Sequence, residues 1–209
     1  MDIVACHGVL TLTFMASLLK NQVDFLGEAR SYDVPWECCS AQQIGLGGFL
    51  RQALPRPQAV IALSIADDGA YQVVSLIQDM AQCPLKLIEM PTGDYRTAKR
   101  YYVQELQEMI VFLEEVTGHK MDWDKLASLL EYDWKYMDLW WKVLELQKRT
   151  PLPLSNRTSM FMGQLEWVVP CHPFNLKMYE AAYQQALDAI QGRVINPPER
   201  FRLMNLWFF

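Results

Sequence analysis

The sequence is poor in histidine, has no surplus of positive charge and no long uninterrupted apolar run, and each shortage removes a class of function. Lysine and arginine number 19 against 24 aspartates and glutamates, a net charge of -5. That balance argues against a nucleic-acid or anionic-membrane surface, both of which need clustered cations. A small anionic ligand stays possible, because it needs only a local basic pocket. No stretch is apolar for long enough to cross a bilayer. The best candidate for a targeting segment, residues 3–19, contains Cys6 and His7, follows Asp2 where a signal would be basic, and lacks a small-x-small cleavage site; it predicts a buried strand or helix. The five cysteines, Cys6, Cys38, Cys39, Cys83 and Cys171, are odd in number and irregularly spaced. A secreted disulfide framework is denser and even-numbered, so a reducing, cytoplasmic setting is predicted. With three histidines in the chain, none beside a legible partner, no Ser–His–Asp arrangement can be argued.

What is present is material for a core. Half the residues (51%) are apolar and 12% aromatic, enough for one large domain or a domain with an annex, and too apolar for disorder. Gln58 to Ser64 is an apolar run bounded by Pro57 and by Asp67–Asp68–Gly69, the pattern of a parallel strand buried on both faces. Helical spacing follows from Ala70 to Met80, then a second short strand from Pro84 to Met90, ended by Pro91. Strand, helix, strand in so short a span predicts a βαβ unit. Ahead of it, Ala41 to Leu54 reads as a helix with Ser40 as N-cap, and its Gly45, Gly47 and Gly48 predict close packing on a neighbour. Beyond Pro91 the pattern turns helical: Tyr95–Val116, Asp122–Lys148 with Asp122 as cap, Ser159–Val168 and Phe174–Ile190, the last closed by Gly192. The predicted organisation is an α/β sheet domain over residues 1–91 and a mostly helical annex of the same unit over 92–209. There is no repeat and no low-complexity tract.

Two constellations could carry chemistry. Cys38 and Cys39 stand at the predicted start of a helix, where unpaired N–H groups and the positive dipole end favour a thiolate. Such a sulfur serves as nucleophile, redox group or metal ligand, or else it is a small apolar residue in the core. The turn Ser64 to Gly69 follows the first strand, and open parallel sheets bind ligands at the carboxyl ends of their strands. The competing reading of its Asp67 and Asp68 is a helix cap and a turn.

Together these features carry a resemblance. Cys–Ser at a helix start, a glycine-bearing helix, and then Pro-x-Pro, apolar strand, polar turn and Asp–Gly (Pro55 to Gly69) are similar to the 2-hydroxyacyl-CoA dehydratase and benzoyl-CoA reductase family. The likeness runs on through Pro84–Pro91, Glu105–Leu106, Gly118–His119–Lys120 with Asp122–Leu130, Thr150–Pro151–Leu152–Pro153–Leu154, and Glu199–Arg200–Phe201–Arg202–Leu203. The chain most resembles the N-terminal portion of a subunit of the 2-hydroxyglutaryl-CoA dehydratase D-component type. The resemblance implies a parallel Rossmann-like sheet forming one half of a two-half subunit, with a [4Fe–4S] cluster between the halves. It also implies radical dehydration of a 2-hydroxyacyl-CoA, or reduction of an aromatic acyl-CoA, by an anaerobic heterodimer fed by an ATP-dependent activator protein. Carried over by position, the first cluster ligand falls on Cys39, with Cys38 the neighbouring alternative. The second falls on Asp67, followed by Asp68: a harder donor where the family has a cysteine. The remaining ligand belongs to a second half outside this chain. The apolar end from Arg202 to Phe209 is expected to dock on a partner or to mark a truncated or split subunit. The rival expectation is a degenerate, non-catalytic paralogue that pairs with a full-length homologue.

Other signals point elsewhere. Cys171–His172 with Cys83 and His119 lacks the spacing of a zinc site. Gly45–Gly48 lies inside a helix pattern and is no dinucleotide fingerprint, and Asn156–Arg157–Thr158 is only a loop without secretion. Trp123, Trp134, Trp140 and Trp141 read as helix packing, or else as the wall of an acyl pocket or a subunit interface.

Overall fold

The computed structural model describes residues 3–4, 21–32, 34–64, 68–168, 173–195, 198–199 and 201–202. Apart from Ile3 and Val4, the segment 3–19 lies outside them, as do Cys6, His7, Asp67, Cys171 and His172. The chain divides into two compact units, His7–Met121 and a second made of Met1–Cys6 with Asp122–Phe209.

The first unit holds α1 (Gln22–Arg30), α2 (Ser40–Leu50), β1 (Val60–Leu63), α3 (Asp68–Ala81), β2 (Leu85–Ile88) and α4 (Tyr95–Thr117). β1 and β2 pair in parallel, Val60 against Leu85 through Leu63 against Ile88, with α3 as the connection. The predicted βαβ unit is therefore present, and the chain is α/β. Cover of β1 is thinner than its composition predicts: Ala62 is buried, but Leu63 at the carboxyl end is 44% exposed. α3 packs on β1 and α4 on β2, so α4, on the annex side of Pro91, folds within the same compact unit as the sheet.

α1 did not stand out in the sequence, and its partner explains why. Only Phe25 and Ala29 of this helix are buried, too few to show a period. What holds it is a close approach by α2. A Cβ at Gly47 would fall inside the carbonyl of Phe25, so the backbones meet with no room for a side chain. Ion pairs from Arg51 to Glu28 (3.1 Å) and Asp24 (3.6 Å) tie the same two helices. The expectation of close packing thus holds at Gly47, whereas Gly45 faces open space.

Two boundaries differ from expectation. Cys39, not Ser40, is the N-cap of α2, and it makes no side-chain capping bond. The helix also stops at Leu50: Gln52 takes a left-handed conformation (φ 56°), and the amides of Ala53 and Leu54 turn back to the Gly48 carbonyl. α4 ends as its sequence predicts, with Gly118 at φ 71° donating its amide to the Glu114 carbonyl.

The second unit is helical: α5 (Trp123–Leu146), α6 (Asn156–Val168) and α7 (Pro173–Ile190). Asp122 caps α5 by accepting the Lys125 amide at 2.8 Å. α6 begins three residues earlier than predicted because the Ser155 hydroxyl accepts the Thr158 amide at 3.1 Å. The core centres on Tyr179, which stacks on Tyr136 (centroids 5.1 Å apart), meets Trp140 edge-on and donates its hydroxyl to the Met162 carbonyl at 2.8 Å. No helix among the described residues is long and apolar enough to cross a membrane.

Candidate functional site

The predicted thiols sit on a short loop pinned at both ends. Cys38 donates its amide to the Pro35 carbonyl (3.0 Å), and the Cys39 carbonyl accepts the amides of Gln42 and Gln43, the first hydrogen bonds of α2. Gln43 organises the rest. Its buried side chain donates to the carbonyls of Cys38 (2.5 Å) and Trp36 (3.3 Å) and accepts from Arg30 Nε at 3.1 Å. A buried amide with each of these partners in place fixes the loop between α1 and α2. Sequence reading missed it, because a glutamine among small and apolar residues looks like a surface position.

The two sulfurs have different surroundings. Cys39 is exposed and Cys38 half-buried, both as free thiols. Cys38 lines a cavity of about 210 Å³ with Tyr32, Val34, Pro35, Gln72, Val73 and Leu76. The last three lie along the middle of α3, the helix that follows β1, so the cavity joins the thiol loop to that helix. Cys83 behaves otherwise. It is buried, and loss of water around it pushes its thiol above the ordinary range, against a smaller opposing pull from Arg56. The core reading therefore applies to Cys83 and not to Cys39.

A second polar group, of which the sequence marked only Glu105, joins β2 to α4. Lys86 lies 2.7 Å from Glu108 and 3.2 Å from the largely buried Glu105, and Glu105 accepts the Glu89 amide. Glu108, and after it Glu105, raise the pKa of Lys86, and Lys86 in turn holds the Glu108 carboxyl below the usual range. Tyr101 donates to Glu89 at 2.6 Å, and this bond to a carboxylate pushes the phenol up to about 12. Nearby, the Ser64 hydroxyl accepts the Met90 amide at 2.9 Å and joins the two carboxyl strand ends. Glu105, matched in the sequence to a recurrent family position, thus serves as a strand–helix tie.

Comparison with known families turns this geometry into an assignment. The sequence model of a family described as "2-hydroxyglutaryl-CoA dehydratase, D-component" matches residues 1–206 of the 209. The chain belongs to that family. No curated protein matched it. Free thiols at a helix mouth are donors of the kind that iron accepts. An iron–sulfur cluster takes several soft donors around one centre. Cys39 suits one such place, being exposed and free with Cys38 beside it. Among the described residues, however, no three of His, Cys, Asp and Glu form a group that could hold a metal, and Asp67 lies outside those residues. The described residues alone do not enclose a cluster.

Proposed function

We propose that this chain is a subunit of a dehydratase-type enzyme that removes water from a 2-hydroxyacyl-CoA, taking the hydroxyl from C2 and a hydrogen from C3. In this reading Cys39 gives one thiolate to a [4Fe–4S] cluster, Cys38 is its neighbouring alternative, and Asp67 and a homologous subunit complete the set. An ATP-dependent activator supplies the electron, the setting is cytoplasmic and reducing, and the two strands belong to a wider Rossmann-like sheet. A bound cluster would supply one-electron chemistry. The chain's own work is to hold a sulfur at the mouth of α2 through Gln43, and to keep water from the thioester with the apolar wall of Tyr32, Val34, Pro35, Val73 and Leu76.

One observation carries the reading. In a chain that matches the family over residues 1–206, the thiol at the expected position is exposed and free at a helix mouth. The test is anaerobic co-production with the homologous subunit, followed by assay of iron, acid-labile sulfide and conversion of a 2-hydroxyacyl-CoA to the enoyl-CoA. Cluster and turnover together support the proposal. A colourless, iron-free, inactive pair would leave only a pairing subunit.

A further inference from the structure

In a chain of net charge -5, the start of α4 gathers cations that nothing in the protein neutralises. Arg96, Lys99 and Arg100 stand at i, i+3 and i+4, so they share one side of the helix over about 6 Å of its length. All three are exposed, and among the described residues no carboxylate pairs with any of them. Cations elsewhere in the same unit are held: Arg51 by Asp24 and Glu28, Lys86 by Glu105 and Glu108, Arg56 by the Ala81 carbonyl. Glu105, Met109 and Leu113 form the buried side of α4. At about 100° per residue, the three cations face the other way. The neighbouring acid, Asp94, is engaged, since its carboxylate accepts the amides of Arg96 and Thr97 at 3.1 Å each. The helix end is thus capped by the chain itself, and what stays available is the row of side chains.

Place, size and a neighbouring ring identify the ligand. The loop 89–94 leaves the carboxyl end of β2 and leads into α4, on the edge where open parallel sheets take ligands. Tyr95, 77% exposed, stands one turn before Lys99 and offers a flat face beside the cations. Gly93, at φ 124° with open space where a Cβ would be, leaves bare backbone next to that ring. The row is also short: Val103 and Gln107 continue the same side without charge. A nucleic-acid backbone or an acidic protein face would call for a longer row. Three free cations within one turn, flanked by an aromatic ring, fit a small ligand with several phosphate groups and a purine.

We propose that Arg96, Lys99 and Arg100 hold the pyrophosphate and 3′-phosphate of a coenzyme A thioester, with its adenine against Tyr95. The proposal rests on the dehydratase reading for the identity of the thioester.

The full chain is titrated calorimetrically with coenzyme A, dephospho-coenzyme A and pantetheine. Coenzyme A should bind most tightly, more weakly as salt is raised. Loss of the 3′-phosphate should weaken it severalfold, and pantetheine should give no measurable binding. Replacing Arg96, Lys99 and Arg100 together by glutamine should keep the helical circular dichroism and weaken coenzyme A binding by at least about tenfold. Tyr95→Ala should cause a smaller loss. Arg149, Arg157 and Lys177, also exposed, changed together to glutamine remove the same charge elsewhere and should leave the affinity as it was. No binding of coenzyme A, pantetheine binding as tightly, or equal losses in the two triple variants overturns the proposal. So does polyglutamate binding more tightly than coenzyme A. None of these titrations needs iron or turnover, so the two readings fail separately. Binding through these residues by a chain whose complex is iron-free and inactive supports this assignment and counts against the dehydratase alone. An active, iron-bearing complex whose coenzyme A affinity ignores the substitutions overturns this assignment alone.

Discussion

The two compact units of this chain are held by different means. In the helical unit the centre is aromatic: Tyr179 stacked on Tyr136, edge-on to Trp140, its hydroxyl spent on a backbone carbonyl. In the sheet unit the contacts around the thiol loop are polar and close: Gln43 bridging three partners, Gly47 admitting the backbone of α1, Lys86 tying β2 to α4. The first arrangement buries large area and tolerates a solvent face rich in tryptophan. The second fixes its groups by hydrogen bonds and close backbone approach.

Substitutions sharpen this contrast, beginning with the largest expected loss. Tyr179→Ala removes a buried ring and its hydrogen bond and should cost about 4 kcal/mol in urea unfolding, whereas Tyr179→Phe costs about 1 kcal/mol. Gly47→Ala drives a methyl into the Phe25 carbonyl and should cost about 3 kcal/mol, with backbone shift of α1. Gln43→Leu is expected to cost about 2 kcal/mol, because it strands the Cys38 and Trp36 carbonyls. Its distinctive effect is on the loop: labelling of Cys39 by a bulky thiol reagent should change in rate, while Cys83 stays protected. Equal changes at both cysteines would mean general loosening.

The smallest effect expected is a pH dependence. Glu108 is held below the usual carboxylate range by Lys86, so its contribution is present above the ordinary carboxylate pKa and is lost as pH falls through the lowered one. Lys86 is shifted upward, chiefly by Glu108, so its contribution is complete below the ordinary lysine value and is lost as pH climbs through the raised one. Lys86→Met should flatten both limbs of the stability–pH curve; an unchanged acid limb would show that the pair contributes nothing.

Much of this arrangement was written locally in the chain. The βαβ unit was legible because its apolar runs end at prolines and at Asp–Gly, and α4 and α5 because Gly118 and Asp122 mark their ends. α1 was not, since its place depends on a glycine in another helix. The sequence grouped Trp140 with Trp123, Trp134 and Trp141; the structure separates them, because one residue step turns the helix by about 100°. That step puts Trp140 against Tyr179 and leaves Trp141 outside. The thiols were legible as a pair at a helix start, but composition could not tell an exposed sulfur from a buried one. Burial decided that: Cys39 lies outward, Cys83 in the core.

The claim that Cys39 is a donor to iron is tested most directly by iron and sulfide content in the anaerobic complex with the homologous subunit. Cys39→Ala should lower both, and Cys83→Ala should leave both at the level of the unaltered chain. Equal loss in the two variants, or no loss in either, would contradict it.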